Sequence, residues 1–382
     1  MAWAEWAAWA AAWIWSNLLH LLSLNKYPYT SPPFENFVGI VEKLKQVNIV
    51  GSIVVMPDFF VDRIVRLESK EKLFDSLTEK AARGGGSVRG VPTSDVKGGN
   101  AVNVAYCLAK LGVKVTLFTV ADEIGSTMIR QAFSQFGDKV NLRIAAGKSG
   151  LTTAFEFPHN DTRVNVMVSD IGDNANFGPD KLGSPEDRGI LKNADGVMIT
   201  NWASNSQGTE LAEFAFRNSP SAFHFIDPAD VETRKLEFSV ALSKLASITD
   251  SVSLNENECN SLADALNLDR LLGQAFGPVE VRNAAKAVAE KVGISVDLHT
   301  RSGSAWSNGR ESVFVHTVKV ESRTLTGAGD SWDAADMLGY LAGLDPQERL
   351  LFANCCASLF VRDENAEPPT MNKAFELIER VQ

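Results

Sequence analysis

Thr326-Gly327-Ala328-Gly329-Asp330 leads into SWDAADMLGYLAGL, where Trp332, Ala335, Leu338, Leu341 and Ala342 recur at intervals of three and four. That spacing predicts a helix beginning near Ala328. The first turn of such a helix offers unpaired N–H groups and the positive end of the helix dipole. Gly327 and Gly329 keep side chains out of the way, so an anion can reach those donors. Asp330 then sets a carboxylate beside an anion site. It is either a cap of the first turn or a base that takes the proton of an attacking hydroxyl. No Gly-Lys-Ser or Gly-Lys-Thr follows, which excludes a Walker A loop.

The elements that must hold this turn alternate in type. Residues 47–55, 114–120, 152–157, 163–168, 196–200, 223–227 and 294–299 read as strands, and amphipathic runs at 101–112, 126–136, 208–217, 233–246 and 280–292 as helices. Strand and helix alternating over about 300 residues indicate one α/β domain with a mainly parallel sheet. Ligands of such sheets bind at the carboxyl ends of the strands. A glycine-rich stretch, 82–99, separates the first strand from the first long helix and is too long for a plain βα turn.

Three ordered motifs carry a family resemblance. TGAGDSWDAADMLGYL resembles the carboxy-terminal signature of the ribokinase (PfkB) family of sugar and nucleoside kinases. GGNAVNVAYCLAKLG (98–112), followed by ADEIG (121–125), is similar to its amino-terminal signature, and SLNENE (253–258) resembles its NxxE motif. The resemblance implies an α/β, ribokinase-like three-layer sandwich over residues 46–382, with a central mainly parallel sheet and a small β lid inserted at about 66–97. It also implies a phosphotransferase that moves the terminal phosphate of ATP or ADP to a hydroxyl of a sugar or sugar phosphate.

On that resemblance Asp330 is the general base, and the amides of Gly327, Ala328 and Gly329 hold the transferring phosphoryl group. Phosphoryl transfer asks a protein mainly for alignment and charge stabilisation, and one preorganised donor contributes about 2.7–4 kcal/mol in a comparable anion hole. Gly98, Gly99, Asn100 and Asn103 correspond to the acceptor-binding segment, since glycines admit hydroxyls to the backbone and Asn both donates and accepts. The plain alternative is a helix start with glycine used for packing. The family's first strand is followed by an Asp that grips substrate hydroxyls. Asp62, before Ile64-Val65-Arg66-Leu67, fits this better than Asp58, which after Pro57 reads as a turn residue. Asn255 and Glu258 correspond to the pair that organises Mg²⁺, partly through water; in the plain reading Asn255 caps a helix. Thr326 and Asn354 correspond to nucleotide contacts.

The chain also departs from the family pattern. Thr324, Leu325 and Thr326 stand where many relatives have Asp-Thr-Thr, so no monovalent-cation site is claimed. Asp333 and Asp336 either enrich the helix start in acid or raise the pKa of Asp330. Arg83, Arg89, Arg163 and Arg234 match phosphate geometry and favour a phosphosugar acceptor such as ribose 1-phosphate, with Arg163 assigned to the acceptor. The alternatives are a nucleoside kinase with a cytidine- or adenosine-like acceptor, and a non-catalytic sugar sensor on the same fold.

Composition narrows the field further. Of 382 residues, 45% are hydrophobic and 22% charged, which excludes a disordered or fibrous chain. A formal charge of −10 lacks the footprint of a nucleic-acid binder, without preventing local phosphate binding. Four cysteines with no CxxC and scattered histidines point to a reduced, cytoplasmic setting without zinc, with Cys355 and Cys356 as packing residues. Five of eight tryptophans fall in the first fifteen residues, and residues 1–45 read as a Trp-rich helical extension and linker. The first basic residue is Lys26, so a helix that packs in a homo-oligomer, or a stretch foreign to the native chain, is preferred to a membrane-contacting one.

Overall fold

Ile53-Val54-Val55-Met56 is buried at every position, the pattern of a strand covered on both faces. The computed structural model describes residues 39–47, 52–159, 162–323 and 326–381, with the backbone alone at 162 and 163. The Trp-rich segment lies outside the described residues. In chain order the strands are β1 (Ile53–Met56), β2 (Phe60–Arg66), β3 (Thr93–Gly98), β4 (Val115–Ala121), β5 (Val140–Ala146), β6 (Gly150–His159), β7 (Thr162–Asp170), β8 (Gly196–Thr200), β9 (Phe223–Asp227), β10 (Ser251–Leu254), β11 (Ser295–Thr300), β12 (Gly303–Ser307) and β13 (Ser312–His316).

Nine of these form a sheet in the order β13-β12-β11-β10-β9-β8-β1-β4-β5. All neighbours are parallel except the β11-β12 and β12-β13 pairs, as the alternation predicts. From β1 the chain steps outward to β4 and β5, then returns to β8 on the other side. The crevice at the carboxyl ends of β1 and β8 is therefore the switch point where open α/β sheets take their ligands. Helices cover both faces. Asn100–Lys110, Ala328–Leu341 and Pro346–Arg362 pack on one. On the other, Leu211, Phe238, Leu262 and Val288 of four successive helices meet Val54, Ile199, Val252 and Val296 of the sheet in one apolar core.

The remaining strands form a separate sheet, β3-β2-β6-β7, which is the lid. Its extent corrects the sequence reading. The runs at 152–157 and 163–168 belong to the lid rather than the main sheet, so the lid takes in β2, β6 and β7 as well as β3, the one strand that lies within 66–97 but for its last residue. Between β2 and β3 lies a helix, Lys70–Ala82, started by Ser69, whose Oγ accepts from Lys72 N–H at 3.2 Å. KEKLFDSLTEKAA is rich in good helix formers, which explains the element that a β lid does not anticipate.

A buried ion cluster ties the helix Ala328–Leu341 to the sheet. The Arg349 guanidinium, 1% exposed, pairs with Asp336 of that helix and with Asp297 of β11, the latter at 2.8 Å. Tyr340 lies under it with its ring centroid at 3.7 Å, and its hydroxyl donates to Asp297 at 2.9 Å. Asp336 is thus drawn to Arg349 and does not crowd Asp330, one of the two roles that its spacing allows.

Candidate active site

Asp58 stands at the switch point, just past β1, and is 1% exposed. One carboxylate oxygen accepts from Asn100 N–H at 2.8 Å and Asn201 Nδ2 at 3.0 Å; the other accepts from Ala101 N–H at 2.9 Å and Thr200 Oγ1 at 3.0 Å. It caps the helix Asn100–Lys110 from a distant part of the chain and joins it to the end of β8. The turn-residue reading of Asp58 is corrected by this. Close approach demands glycine at position 99: φ is +96°, and a Cβ there would lie 2.8 Å from the Asp58 carbonyl oxygen and 2.9 Å from Phe59 Cα. Gly99 and Asn100 are therefore fixed where the chain needs them.

Asp330 lies in the first turn of Ala328–Leu341, as predicted, and is 7% exposed. Gly327 precedes it at φ +92°, and no side chain caps the turn. The first N–H groups are thus left to an incoming anion. Asn103 Nδ2 donates to Asp330 Oδ2 at 2.9 Å, which links the base candidate to the helix Asn100–Lys110 in one hydrogen-bonded unit. Burial, then the neighbouring Asp227 and Asp58, push the Asp330 carboxyl well above the usual carboxylate range, against the Asn103 hydrogen bond and Lys97. A carboxylate so placed is a better proton acceptor at neutral pH. Asp227, at the end of β9, is itself pushed up to about 6 by burial and meets Asn100 Nδ2 at 3.4 Å.

Asp62 sits on β2 in the lid, paired across to Val96, with Gly98 beside its carboxylate. A Cβ on Gly98 would come 2.0 Å from Asp62 Oδ2, so glycine makes the room this carboxylate occupies. Burial raises Asp62 to about 6, against a hydrogen bond from Thr152 on β6. The structure therefore brings Asp62, Gly98, Gly99, Asn100, Asn103, Gly327, Ala328, Gly329 and Asp330 toward the carboxyl ends of the central strands and the lid above them. Thr326 is exposed in the turn that opens the same helix.

Asn255 begins the helix Glu256–Ala265 as its cap, and Glu258 closes a capping box by accepting from Asn255 N–H at 2.8 Å. The plain cap reading thus holds for Asn255. Glu258 is 7% exposed and is pushed up to about 8 by burial and by Asp227, Asp230 and Glu256. A cavity of about 610 Å³ lies against Asn255, Glu258, Asp230, Lys235 and Arg270. Among the described residues no group of three or more His, Cys, Asp or Glu forms a metal cage. Mg²⁺ fits this donor set nonetheless, because it keeps most of its waters and takes few protein carboxylates, and Glu258 faces the cavity with the exposed acids Asp230, Glu232 and Asp264 around it.

Two expected residues are not available to a ligand. The Asn354 side chain uses all its groups inside the fold: Oδ1 accepts from Ser304 Oγ and Trp332 Nε1 at 2.9 Å each, and Nδ2 donates to the Val315 and His316 carbonyls at 3.1 Å each. These four bonds tie the residue expected at the nucleotide to β12, β13 and the helix Ala328–Leu341. Arg234 lies over the Trp202 ring and donates to the Trp202, Ala203 and Asn205 carbonyls. Arg83 pairs with Glu79 on the lid helix, and the Arg163 side chain, like Thr324 and Leu325, lies outside the described residues. The sequence reading passed over Asp227 and Lys97. Asp227 was findable as an acid ending a parallel strand; Lys97 carried no signal beyond adjacency to Gly98.

A model of the pfkB family of carbohydrate kinases matches residues 72–373. No curated protein matches the chain in sequence. Among solved structures, ribokinase of Arabidopsis thaliana, in complex with ribose and ATP, is similar over 86% of this chain and 99% of its own, at 19% identity and a TM-score of 0.66. Adenosine kinase of Sinorhizobium meliloti is similar over 86% and 99%, at 17% identity and a TM-score of 0.65. An E. coli protein described as a ribokinase II, in complex with ATP and Mg²⁺, is similar over 87% and 100%, at 17% identity and a TM-score of 0.63. With the family model spanning most of its length and the fold shared throughout, the chain belongs to the pfkB family of carbohydrate kinases.

Proposed function

We propose that this kinase transfers the terminal phosphate of ATP, with Mg²⁺, to a hydroxyl of an unphosphorylated sugar, free or within a nucleoside, and that Asp330 is the general base. The observation that carries the reading is the Asn103 bridge, which joins Asp330 at an uncapped helix start to the segment that would line the acceptor. Asp62 and Asn100 grip acceptor hydroxyls, Asn103 orients the one to be phosphorylated, and Asp330 takes its proton as the oxygen attacks. The amides of Gly327, Ala328 and Gly329 stabilise charge on the group in transfer. Glu258, with Asn255, would hold Mg²⁺ through water, and that ion when bound supplies neutralising charge to the nucleotide phosphates. ATP as donor is supported by the ligands of the Arabidopsis and E. coli structures.

The phosphorylated acceptor loses ground because Arg234, one of the arginines expected to take its phosphate, is held by backbone carbonyls and Glu237. A panel of free sugars, nucleosides and sugar phosphates, each offered with ATP and with ADP, tests this. Turnover on a free sugar or nucleoside with ATP is expected; turnover confined to phosphorylated acceptors, or acceptor binding without any transfer, contradicts it.

Two further results are expected. Glu258→Gln raises the Mg²⁺ concentration for half-maximal rate by about 10–100-fold, the range for loss of a supporting ligand interaction, read by titrating activity with Mg²⁺. Acceptor affinity measured by calorimetry weakens as pH falls through about 6, since Asp62 ionises there and only its charged form makes the stronger hydrogen bonds to hydroxyls. In Asp62→Asn that step is lost.

A further inference from the structure

We propose that Lys97 is a positioning residue for the base: its ammonium fixes the Asn103 amide so that Asn103 only donates to Asp330, which keeps one carboxylate oxygen an acceptor and directs the substrate proton to the other. The inference rests on the reading of Asp330 as the base. Lys97 lies one residue before the end of β3, on a strand otherwise largely exposed, and turns its side chain inward. Its Nζ donates to Asn103 Oδ1 at 3.2 Å and lies 4.2 Å from the centroid of the Tyr106 ring. That ring is a fixed wall, packed edge-on against Phe133 and Phe136, with its hydroxyl accepting from Gln135 Nε2 at 2.9 Å.

The consequence is chemical. Asn103 Nδ2 donates to Asp330 Oδ2 at 2.9 Å. Turning the amide over would aim its NH₂ at an ammonium and its oxygen at a carboxylate, two like pairings at once. With Lys97 in place the amide has one orientation. A proton on Oδ2 would then face the Asn103 N–H donor to donor, so Oδ2 stays unprotonated and Oδ1 receives the proton of the attacking hydroxyl. The second Asn103 N–H remains for the acceptor.

Burial pulls the Lys97 amine below the usual lysine range, and the acids around it, Asp330, Glu367 and Asp62 of β2, oppose that; Cys107, the thiol beside it, is pushed up to about 12 by burial and is neutral. Facing Asp330 are Asp227 and Asp58, with Lys97 the cation that offsets them.

The test is the pH profile of kcat on the acceptor identified for the wild type. Lys97→Met and Lys97→Gln move the acid limb up by about one pH unit, so that kcat falls by up to about tenfold at pH values on that limb, with acceptor KM changed far less. In an Asn103→Ala background the same replacements of Lys97 shift the limb no further, because the effect runs through the amide. Lys97→Arg, which keeps charge and donors, leaves the limb in place and is read alone if the neutral variants do not fold. An unmoved limb in the neutral variants, a change confined to KM, an additive shift in the Asn103→Ala background, or a limb displaced by Lys97→Arg overturns the proposal. Asp330→Asn in the same assay separates the two claims: normal turnover there removes the base, whereas a dead Asp330→Asn with an unmoved Lys97 limb removes only Lys97.

Discussion

Asp330→Asn lowers kcat by about 10²–10⁴-fold, the range for loss of a general base, and leaves the protein folded and able to bind nucleotide. The replacement is nearly isosteric, so Asn103 keeps a partner, but the amide has no basicity for an attacking hydroxyl. Stability follows a separate rule. Burial and the nearby acids raise the Asp330 carboxyl above its unfolded value, so the folded state binds more proton and stability falls as pH rises through that window. Ionising the buried carboxyl therefore opposes folding, and the neutral amide leaves Tm unchanged or higher. A melting curve and a kcat measured side by side check both halves. Lost activity with a large drop in Tm would mark Asp330 as a cap rather than a base.

Asp58→Ala carries the second large effect, on stability and rate together. Four donors converge on this carboxylate: two backbone N–H groups, a Thr hydroxyl and an Asn amide. Loss of a helix cap costs about 0.5–2 kcal/mol, and each buried polar group left without a partner adds about 1–3 kcal/mol. Relaxation keeps the sum near about 3 kcal/mol. The helix that would move carries Asn100 and Asn103, and a displacement of about 1 Å at a reacting group costs about 10²-fold in rate. Denaturant unfolding and kcat/KM for the acceptor measure the two effects. Asp58→Asn, which still accepts on one oxygen, falls between the wild type and Asp58→Ala.

Much of the molecule is legible before its structure is seen, and the exceptions share a cause. The helix from Ala328 and the strands 196–200 and 223–227 follow from period alone, and the glycines at 98 and 99 stand out through the family resemblance. Three features stay hidden because their residues look out of place until their partners are known. Ser251-Val252-Ser253-Leu254 is too short and polar to read as a central strand, yet Ser251 and Ser253 each donate to a buried carboxylate, Asp297 and Asp333, at 2.5 Å. Asp58 resembles a turn residue beside proline, because the N–H groups it caps lie more than forty positions along the chain. Asn354 has the chemistry of a ligand contact, but neighbours from three parts of the fold have already taken its hydrogen bonds. Spacing along a chain reports local partners; these pairings are set by the sheet order.

The central claim is that a carboxylate at an uncapped helix start drives phosphoryl transfer to an alcohol. The most direct measurement is ³¹P NMR of the wild type and Asp330→Asn, each with ATP, Mg²⁺ and an acceptor to which both bind. A phosphomonoester resonance is expected to grow with the wild type, and none above background with Asp330→Asn over the same period. Ester formed at equal rates by the two proteins would contradict it.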